Sequence, residues 1–512
     1  MTTVTRRALL SAAAVGSVGM LAACAPVTKH PKPTTSPEGP PDWASLAAGL
    51  SGSLTRSGDP NWNTVRVTEN PRWDNARPLA VLTAGSAADV AAAVVFAAKY
   101  GVPIALRSGG HSYPGYSAGG AVGTGVAPSL IVDSRGLGSV ALAADNSVKI
   151  GAGASLAQVY DIIGTASRSL AGGSCATVGI TGLTLGGGVG VLVRAYGLTC
   201  DSLIEVEIVT ADGVVRKANS TTDSDLFWAC RGGGGGHLGV VTSLTFATQP
   251  APTVTMFSLQ WPATSAAAVI RAWQAWAPVA DPKLWSTLKL LNGAAYSSGP
   301  GVFLSGTWLG AHADLAGQLA PFLAAAGVPG KNGSSQHDYH DAMMIYAGCS
   351  GLPIAECSTG PGGKLTRESF SATSHVAYTA LDDSGIQKLI DRVAAAKAVA
   401  GLIEGGISMD ALGGQVAAIA PGDTAFPHRK ALMTVQYTAT FANGGDPAPF
   451  DTFVRGFRAA LQPQWGDAAY VNYADSTLAH PANSYFGANA PRLARIRKRY
   501  DPRGLFTQPQ SY

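Results

Sequence analysis

Two glycine-dense segments, residues 107–113 and 172–179, constrain this chain more than any other feature of its sequence. The first follows an apolar run over residues 102–106, which predicts a β-strand, and it carries His111; the second carries Cys175. A loop that leaves a strand with free N–H groups and little side-chain bulk can wrap a pyrophosphate. The pattern indicates a nucleotide-cofactor cradle beside an imidazole and a thiol, although the glycines taken alone are also compatible with ordinary turns.

Further motifs extend over most of the chain, at residues 182–190, 194–198, 225–228, 231–236, 424–429, 470–473 and 500–502. Together with the two loops, they resemble the berberine bridge enzyme and glucooligosaccharide oxidase family from about Trp43 to the C-terminus. The resemblance implies an α+β fold with a two-part FAD-binding domain of the vanillyl-alcohol oxidase type. It also implies FAD bonded twice, through His111 to the C8α methyl group and through Cys175 to C6.

The same resemblance assigns the remaining cofactor contacts to the two loops, the glycine-rich segments and the C-terminal motif. The implied set is Arg107, Ser108, Gly109, Gly110, His111, Ser112, Gly172, Cys175, Val178, Gly179, Gly182, Gly187, Gly188, Gly190, Val240 and Asn472. No metal site is predicted, because the sequence has neither a Cys-x-x-Cys motif nor clustered histidines.

Composition excludes several classes of protein. Charged residues are 13% of the 512 residues and the formal net charge is +4, so no electrostatic surface for nucleic acid is predicted. Glycine and alanine are abundant without a fixed period, which excludes collagen-like and solenoid arrays. The length allows about two to three ordinary domains, and a monomer is expected.

Residues 1–24 predict an export leader. Arg6 and Arg7 precede an apolar stretch over residues 8–23, which is too short and too rich in small residues for a transmembrane anchor. The stretch ends in a lipobox-like Leu-Ala-Ala-Cys, so cleavage before Cys24 would expose its thiol to lipid attachment, with residues 25–42 as a proline-rich tether. Ordinary secretion is the alternative, and the paired arginines are compatible with the twin-arginine route. The predicted location is the outer face of the cytoplasmic membrane or the medium, with the membrane a partner only through an anchor or export signal.

Six cysteines suit an oxidising compartment. With Cys24 lipidated and Cys175 bonded to flavin, an even set of four remains. Cys349 and Cys357 enclose a short loop and are predicted to pair, which leaves Cys200 with Cys230 by elimination. Four reduced core cysteines are the alternative.

Periodicity divides the chain after the tether into three parts. Residues 43–249 predict the first part of the FAD-binding domain, with a helix at 87–100 and strands at 129–132, 148–150, 203–209 and 240–246. Residues 250–466 predict a substrate domain of antiparallel sheet backed by helices, with a helix at 265–277 and strands at 284–291, 302–309, 376–379 and 431–440. Residues 467–512 return to the family pattern of the FAD-binding domain.

One glycine motif is misleading. Residues 234–239 match the dinucleotide fingerprint Gly-x-Gly-x-x-Gly, but that fingerprint requires a helix at its end, and residues 240–246 predict a strand. A nicotinamide site is therefore rejected. His237 stands where relatives commonly have Asn.

Oxidation of an alcohol by flavin requires a base for the hydroxyl proton. Tyr473 matches the tyrosine proposed as base in the family, and Gln436 stands where some members carry a glutamate base. Because an amide cannot take the proton, Tyr473 is favoured. Tyr470 and Tyr437 are candidate helpers, with packing in a core as their alternative role.

Substrate contacts are predicted from aromatic residues. Tyr113 matches a substrate-stacking tyrosine of the oligosaccharide oxidases, and Tyr437 is a second candidate. The substrate part also contains Trp261, Trp273, Trp276, Trp285 and Trp308, most of which are expected in the core. Val178 matches a position that gates oxygen in plant relatives, where valine accompanies oxidase behaviour.

The sequence therefore predicts an exported FAD-dependent oxidase that takes a small-molecule substrate and dioxygen. The leading hypothesis is oxidation of a carbohydrate hemiacetal to a lactone, with hydrogen peroxide as the second product. The alternative is oxidation of a glycosylated secondary metabolite. A hypothesis of a different kind is that the protein is not an enzyme but a binding or structural lipoprotein of the cell surface, built on a degenerate flavin fold.

Overall fold

A computed structural model describes residues 39–512, so the predicted leader and residues 25–38 of the predicted tether lie outside the described residues. The helices of this part are α1 Trp43–Ala48, α2 Trp62–Val65, α3 Ala87–Tyr100, α4 Leu156–Thr165, α5 Ile180–Leu185, α6 Val193–Tyr196, α7 Ser224–Ala229, α8 Ala266–Trp276, α9 Leu315–Ala326, α10 Tyr339–Tyr346, α11 Asp383–Ala395, α12 Gly414–Ala418, α13 Ala448–Trp465, α14 Pro481–Phe486 and α15 Ala490–Tyr500. Within residues 39–512, no helix has the length and apolar character needed to cross a bilayer.

The strands of the same residues are β1 Ser53–Thr55, β2 Ala80–Thr83, β3 Ile104–Arg107, β4 Leu130–Asp133, β5 Val140–Leu142, β6 Ser147–Gly151, β7 Arg168–Ser169, β8 Leu203–Val209, β9 Val215–Asn219, β10 Val240–Ala247, β11 Gln249–Pro250, β12 Val254–Trp261, β13 Leu284–Asn292, β14 Gly301–Trp308, β15 Lys331–His337, β16 Ser369–Ala377, β17 Leu402–Ala411 and β18 Met433–Phe441.

The loop that carries His111 leaves the edge strand of a four-stranded sheet with the order β1-β2-β4-β3. β4 pairs in parallel with β2 and β3, as a crossover through α3 requires. The Ser86 side chain caps α3 by accepting a hydrogen bond from the Asp89 N–H, and Gly101 ends the helix at φ 64°. Apolar residues of α3 are buried against the sheet, so the start of the loop after Arg107 is held in place.

A five-stranded antiparallel sheet follows, with the order β5-β6-β10-β8-β9. β10 pairs with β8 from Val240 opposite Val209 onward. The chain after Gly239 is therefore a strand, as predicted, and the glycine motif before it does not open a helix.

Residues 254–441 contribute a seven-stranded antiparallel sheet with the order β15-β12-β14-β13-β17-β18-β16. One face is apolar and packs against α8, α9, α11 and α13 in a continuous core. Strand β18 shows how the sequence builds both faces. Val435, Tyr437 and Ala439 are buried in this core, whereas the alternate residues Gln436 and Thr438 line a cavity on the other side.

These elements confirm the predicted α+β class. The predicted bounds of α3 and β8 agree with the structure, and those of α8, β10, β13 and β14 agree to within one residue. The strand predicted at residues 376–379 is wrong in extent, because β16 ends at Ala377. Strands β12, β15 and β17 were not predicted; β15 is an almost entirely polar edge strand, and β17 contains two consecutive glycines. The three-part domain division stays a prediction.

The cysteines follow the prediction only in part. Cys349 and Cys357 form a disulfide with their Cα atoms 5.6 Å apart. The prediction that Cys200 pairs with Cys230 is wrong, since both are free and buried. Cys200 lies in the turn before β8, with its sulfur 3.6 Å from an Asp201 carboxylate oxygen, and Cys230 ends α7. The pairing by elimination assumed that every remaining cysteine is oxidised. Cys200 and Cys230 are instead buried separately as free thiols, and burial keeps each thiol inert without a disulfide.

Candidate active site

A cavity of about 1020 Å³ lies at the polar face of the seven-stranded sheet. Residues of the loop after β3, of the segment 173–191 and of residues 470–474 also line it. Pockets for a single small ligand usually span about 300 to 1,000 Å³. The cavity therefore has room for an extended nucleotide cofactor together with part of a substrate.

The loop after β3 offers its backbone to this cavity. The main-chain N–H groups of residues 109–113 make no hydrogen bond to any part of the described chain. A Cβ atom on Gly109 would overlap the Gly179 main chain, and one on Gly179 would overlap Gly109, so the two segments need glycine to pack. Gly110 has φ +79°, in the region that favours glycine. A run of unpaired N–H groups is a suitable anion site.

His111 lies in this loop and lines the cavity. Its Nε2 atom is 2.8 Å from the Thr177 hydroxyl oxygen. Burial lowers the pKa of His111 to about 4, with a small opposing effect from the Thr177 main chain. The imidazole is therefore neutral at pH 7 and can act as a nucleophile.

Cys175 is a free thiol that opens into the same cavity. Desolvation raises the pKa of this thiol, and the charge of the Lys289 ammonium group partly opposes the effect. Lys289 reaches the cavity from β13, beside Ser408 of β17 in the strand register. The structure thus brings the imidazole and the thiol to one cavity from segments far apart in sequence.

Arg107 lines the cavity as well and also has a structural role. Its side chain is buried and forms an ion pair with Asp133 at 2.7 Å. The remaining guanidinium N–H groups donate to the main-chain carbonyls of Val65, Arg66 and Val67. With its donors used in this way, Arg107 fixes the segment before Glu69 against the end of β3.

The other predicted cofactor residues divide into two groups. Those that line the cavity are Ser108, Gly109, Gly110, Ser112, Val178, Gly179, Gly182, Gly190, Val240 and Asn472. Gly172, Gly187 and Gly188 are not among the lining residues. These three lie behind the wall, where a Cβ atom would meet Tyr160, Phe426 or Thr199, so they serve packing.

Tyr473 forms an aromatic pair with Tyr113. Their rings are parallel within 3°, with centroids 5.7 Å apart, and both line the cavity. The Gln436 amide donates a hydrogen bond to the Tyr113 hydroxyl. The Tyr473 hydroxyl has no hydrogen-bond partner within residues 39–512, so it is available to a ligand. The structure brings these three predicted residues together.

Tyr470 lies at the cavity, but its hydroxyl is already occupied. It accepts hydrogen bonds from the main-chain N–H groups of Gly188 and Val189 and from the Asn472 amide, at 2.9, 3.2 and 2.9 Å respectively. Its ring packs edge-on against Tyr473 with centroids 4.9 Å apart. Tyr470 therefore anchors the glycine-rich segment and supports Tyr473.

Tyr437 does not reach the cavity, which corrects its predicted role as helper and substrate contact. It follows Gln436 on β18 and so points to the opposite face of the sheet. There it is fully buried in the core, with its hydroxyl 2.8 Å from His375 Nδ1.

Asp410 is the functional residue that the sequence analysis missed. It lines the cavity from β17, with Thr287 of β13 and Thr434 of β18 as its cross-strand neighbours. Burial raises the pKa of this carboxyl, against smaller lowering effects from the two threonines and Lys289. The alternation of buried Ile407, Met409 and Ala411 could have placed Asp410 on the polar face, had β17 been predicted.

Desolvation and the negative charge of Asp410 act on Tyr473. Burial is the largest cause that raises the pKa of this phenol well above its ordinary value, and Asp410 is the second. The Tyr473 hydroxyl therefore keeps its proton at neutral pH unless a neighbouring group accepts that proton.

Several polar groups of the cavity wall lack partners among the described residues. The buried Trp285 Nε1, Tyr116 hydroxyl and Ser117 hydroxyl have none within residues 39–512. Buried polar atoms are normally paired, so these three are available to a ligand in the cavity. Of the tryptophans considered above, only Trp285 lines the cavity; Trp261, Trp273 and Trp308 are in the core and Trp276 packs against it.

His237 lines the cavity and is neutral over the physiological range, because burial lowers its pKa to about 3. Its Nδ1 atom is 3.3 Å from the Ser511 hydroxyl, and its ring packs against Tyr512. The C-terminal residues thus hold this side chain in place.

Comparison with known proteins identifies two family regions. Residues 78–219 match the FAD binding domain family, and residues 469–511 match the family described as berberine and berberine like. These regions contain most of the loops and motifs described above.

Individual relatives match along most of the chain. An uncharacterized FAD-linked oxidoreductase of Bacillus subtilis, YvdP, is 30% identical over 473 residues, which cover 90% of this chain and 98% of the relative. A chitooligosaccharide oxidase of Gibberella zeae is 30% identical over 449 residues, covering 85% and 87% respectively.

A solved structure of glucooligosaccharide oxidase from Acremonium strictum is also similar, with a TM-score of 0.79 and 28% identity. The similarity covers 92% of this chain and 99% of that one. That protein is described with a 6-S-cysteinyl, 8α-N1-histidyl FAD.

Proposed function

Because the chain belongs to the berberine bridge enzyme-like family of FAD-linked oxidoreductases, we propose that it is an exported oxidase that converts a carbohydrate hemiacetal to a lactone. One observation carries the proposal. His111, Cys175 and the unpaired Tyr473 hydroxyl all open into one cavity whose remaining wall is the polar face of a sheet.

The residues of the cavity fit FAD. His111 would bond to the C8α methyl group and Cys175 to C6, while the N–H groups of residues 109–113 would bind the pyrophosphate. The unpaired hydroxyls of Tyr116 and Ser117 are further ligand contacts. When bound, FAD supplies a hydride acceptor at N5 and returns the electrons to dioxygen. Two covalent bonds would hold it without enclosing it, which leaves an open face for a bulky substrate.

Tyr473 is the proposed base for the substrate hydroxyl. Its phenol keeps its own proton at neutral pH, so it can accept the substrate proton only as it passes its own proton on. Asp410 is the nearby acceptor, because its raised pKa makes it a stronger base than an ordinary aspartate. The parallel ring of Tyr113, held by Gln436, keeps Tyr473 in orientation.

The rest of the wall suits a polyhydroxylated substrate. Trp285, Ser408, Thr438 and Glu404 line it from three strands, and Glu404 also accepts a hydrogen bond from Tyr296 at 2.6 Å. Indole and tyrosine rings offer flat surfaces, and the side-chain oxygens and Trp285 Nε1 offer hydrogen bonds. Val178 lines the cavity beside Cys175, where a small side chain leaves room for dioxygen.

A peroxide-coupled screen tests this proposal. Purified enzyme is supplied with reducing oligosaccharides, with the same oligosaccharides after reduction of their terminal sugar to an alditol, and with glycosylated metabolites. Peroxide from the reducing sugars alone is the expected result, since the alditols lack the hemiacetal. Equal turnover of the alditols contradicts lactone formation, and turnover of glycosylated metabolites alone supports the alternative substrate class.

Export is part of the proposal. Its support is the leader sequence with the lipobox-like Cys24, followed by a proline-rich stretch that would tether the enzyme to the outer face of the membrane. Residues 1–38 lie outside the described part of the chain.

A further inference from the structure

A partly buried carboxylate near His111 has no part in the oxidation described above. Glu69 lines the same cavity, and its N–H donates to the carbonyl of Gly110, the residue before His111, at 3.2 Å. Arg107 fixes the chain just before Glu69 by binding the carbonyls of residues 65–67. The position of Glu69 relative to His111 is therefore set by main-chain contacts.

Glu69 is not explained by an ion pair. The two guanidinium groups near it, Arg135 and Arg367, pair instead with Asp133 at 2.6 Å and Asp74 at 2.5 Å. Its carboxylate accepts hydrogen bonds from the Thr359 hydroxyl at 2.9 and 3.0 Å. Burial raises the pKa of this carboxyl in spite of these neighbours. A partly buried carboxylate with a raised pKa and no ion pair is typical of a functional group.

Thr177 lies between Glu69 and His111. Its hydroxyl oxygen is 2.8 Å from His111 Nε2. The Thr177 side chain is also close enough to Glu69 to lower the pKa of that carboxyl. A hydroxyl can accept one hydrogen bond and donate another at the same time. Glu69, Thr177 and His111 can therefore be joined in a row of carboxylate, hydroxyl and imidazole.

We propose that Glu69 and Thr177 are positioning residues that prepare His111 for its covalent bond to FAD. In this row, His111 Nε2–H donates to the Thr177 oxygen, and the Thr177 hydroxyl donates to Glu69. The neutral ring then carries its single proton on Nε2, so the lone pair of Nδ1 is free to attack. This inference rests on the proposed bond through His111.

The bond-forming step balances with dioxygen as the oxidant. As the bond between Nδ1 and C8α forms, the methyl group loses one proton and the isoalloxazine gains two electrons. The proton on Nε2 leaves through Thr177 to Glu69, which restores a neutral imidazole. Dioxygen then takes the two electrons, with two protons, and leaves as hydrogen peroxide.

The test isolates the His111 bond by removing the other one. In a Cys175→Ala background, covalent flavin can form only through His111. The Cys175→Ala protein and its Glu69→Gln and Thr177→Val derivatives are incubated with FAD in air, and flavin that stays with acid-precipitated protein is measured over time. We expect each added substitution to slow attachment by about 10²-fold, the lower end of the usual contribution of a positioned proton acceptor.

The control uses the same substitutions in a His111→Ala background, where flavin can attach only through Cys175. Attachment there should be unchanged, because the proposed row does not include the thiol. Equal slowing of attachment in both backgrounds indicates a structural defect and overturns the inference. Attachment through His111 at the normal rate in the Glu69→Gln derivative also overturns it. If Cys175→Ala itself retains no covalent flavin, the proposed His111 bond fails, and this outcome is distinct from the other two.

Discussion

Burial shifts the ionisable residues of the cavity toward their neutral forms. It lowers the pKa of His111 to about 4, and it raises the pKa values of Asp410, Glu69 and the Tyr473 phenol. Each side chain therefore holds or releases a proton only when a neighbour takes part. Such coupling between adjacent groups suits a reaction in which one proton leaves a hydroxyl as a hydride leaves carbon.

Replacement of Tyr473 by Phe should separate the proposed base from its packing. The ring and its stacking on Tyr113 remain, so folding and flavin absorbance should be preserved. Anaerobic reduction of the flavin by substrate should slow by roughly 10²- to 10⁴-fold. Stopped-flow absorbance measures this step, and oxygen should still reoxidise the chemically reduced variant at a near-normal rate.

Tyr437→Phe is the matched control, because Tyr437 lies on the same sheet but on its core face. It should reduce flavin at the wild-type rate and lose only about 1 kcal/mol of stability with the hydrogen bond to His375. A Tyr473→Phe enzyme that is reduced as fast as this control would place the base elsewhere.

Asp410→Asn should change activity and stability in opposite directions. The pKa of Asp410 is raised above its ordinary value of 3.8, so the folded protein binds this proton more tightly than the unfolded chain does. The ionised carboxylate therefore costs stability that increases as the pH rises from that value through the raised folded pKa. Asparagine stays neutral, so the variant should be more stable than wild type at pH 8 and similar to it at acidic pH, while substrate oxidation is slowed.

Denaturant unfolding of both proteins at the two pH values measures this effect. A stability difference that is the same at acidic and alkaline pH would show that the carboxyl does not titrate as proposed.

Among the elements, the seven-stranded sheet decides which side chains meet the substrate. Its strands place every second residue in the cavity and the others in the helical core. Gln436 and Asp410 thereby become cavity residues, whereas Tyr437 and Met409 become core residues. A shift of one residue in the register of β17 or β18 would exchange these sets.

The loop closed by Cys349 and Cys357 belongs to a small core cluster with Ala157 and Ala176, and Ala176 lines this cavity. A Cys349→Ser/Cys357→Ser variant should lose roughly 2 to 3 kcal/mol of stability, as the chain-entropy account of so short a loop suggests. Urea denaturation measures the loss.

A thiol count checks the remaining cysteines. In denaturant without reductant, the flavin-bearing protein with Cys24 replaced by Ala should titrate the two thiols of Cys200 and Cys230. A count of zero would instead restore the pairing that the structure contradicts.

For the whole molecule, the proposed location depends on residues outside the described part of the chain. If Cys24 carries lipid, Cys24→Ala should move the enzyme from the membrane fraction to the soluble fraction without changing its flavin spectrum. Fractionation followed by detection of covalent flavin measures this. The same distribution for both forms would remove the lipoprotein hypothesis.

The sequence alone determined the cofactor class, the α+β class and the rejection of a nicotinamide site. These conclusions depend on short-range properties: a glycine-dense loop after a strand, a nucleophile inside it, and a strand after residue 239 instead of a helix. Each of these properties is encoded by residues close together in the sequence, so each can be predicted without knowledge of distant contacts.

Only the tertiary structure decided what depends on register and packing. It turned Tyr437 away from the cavity, paired Arg107 with Asp133, left Cys200 and Cys230 unpaired, and brought Asp410 and Tyr473 to one cavity. It also brought Glu69 to the same cavity as Thr177 and His111, across more than a hundred residues of sequence. The physical reason is that a side chain's face, burial and partner are set by strands and segments remote in sequence, which periodicity along one segment does not encode.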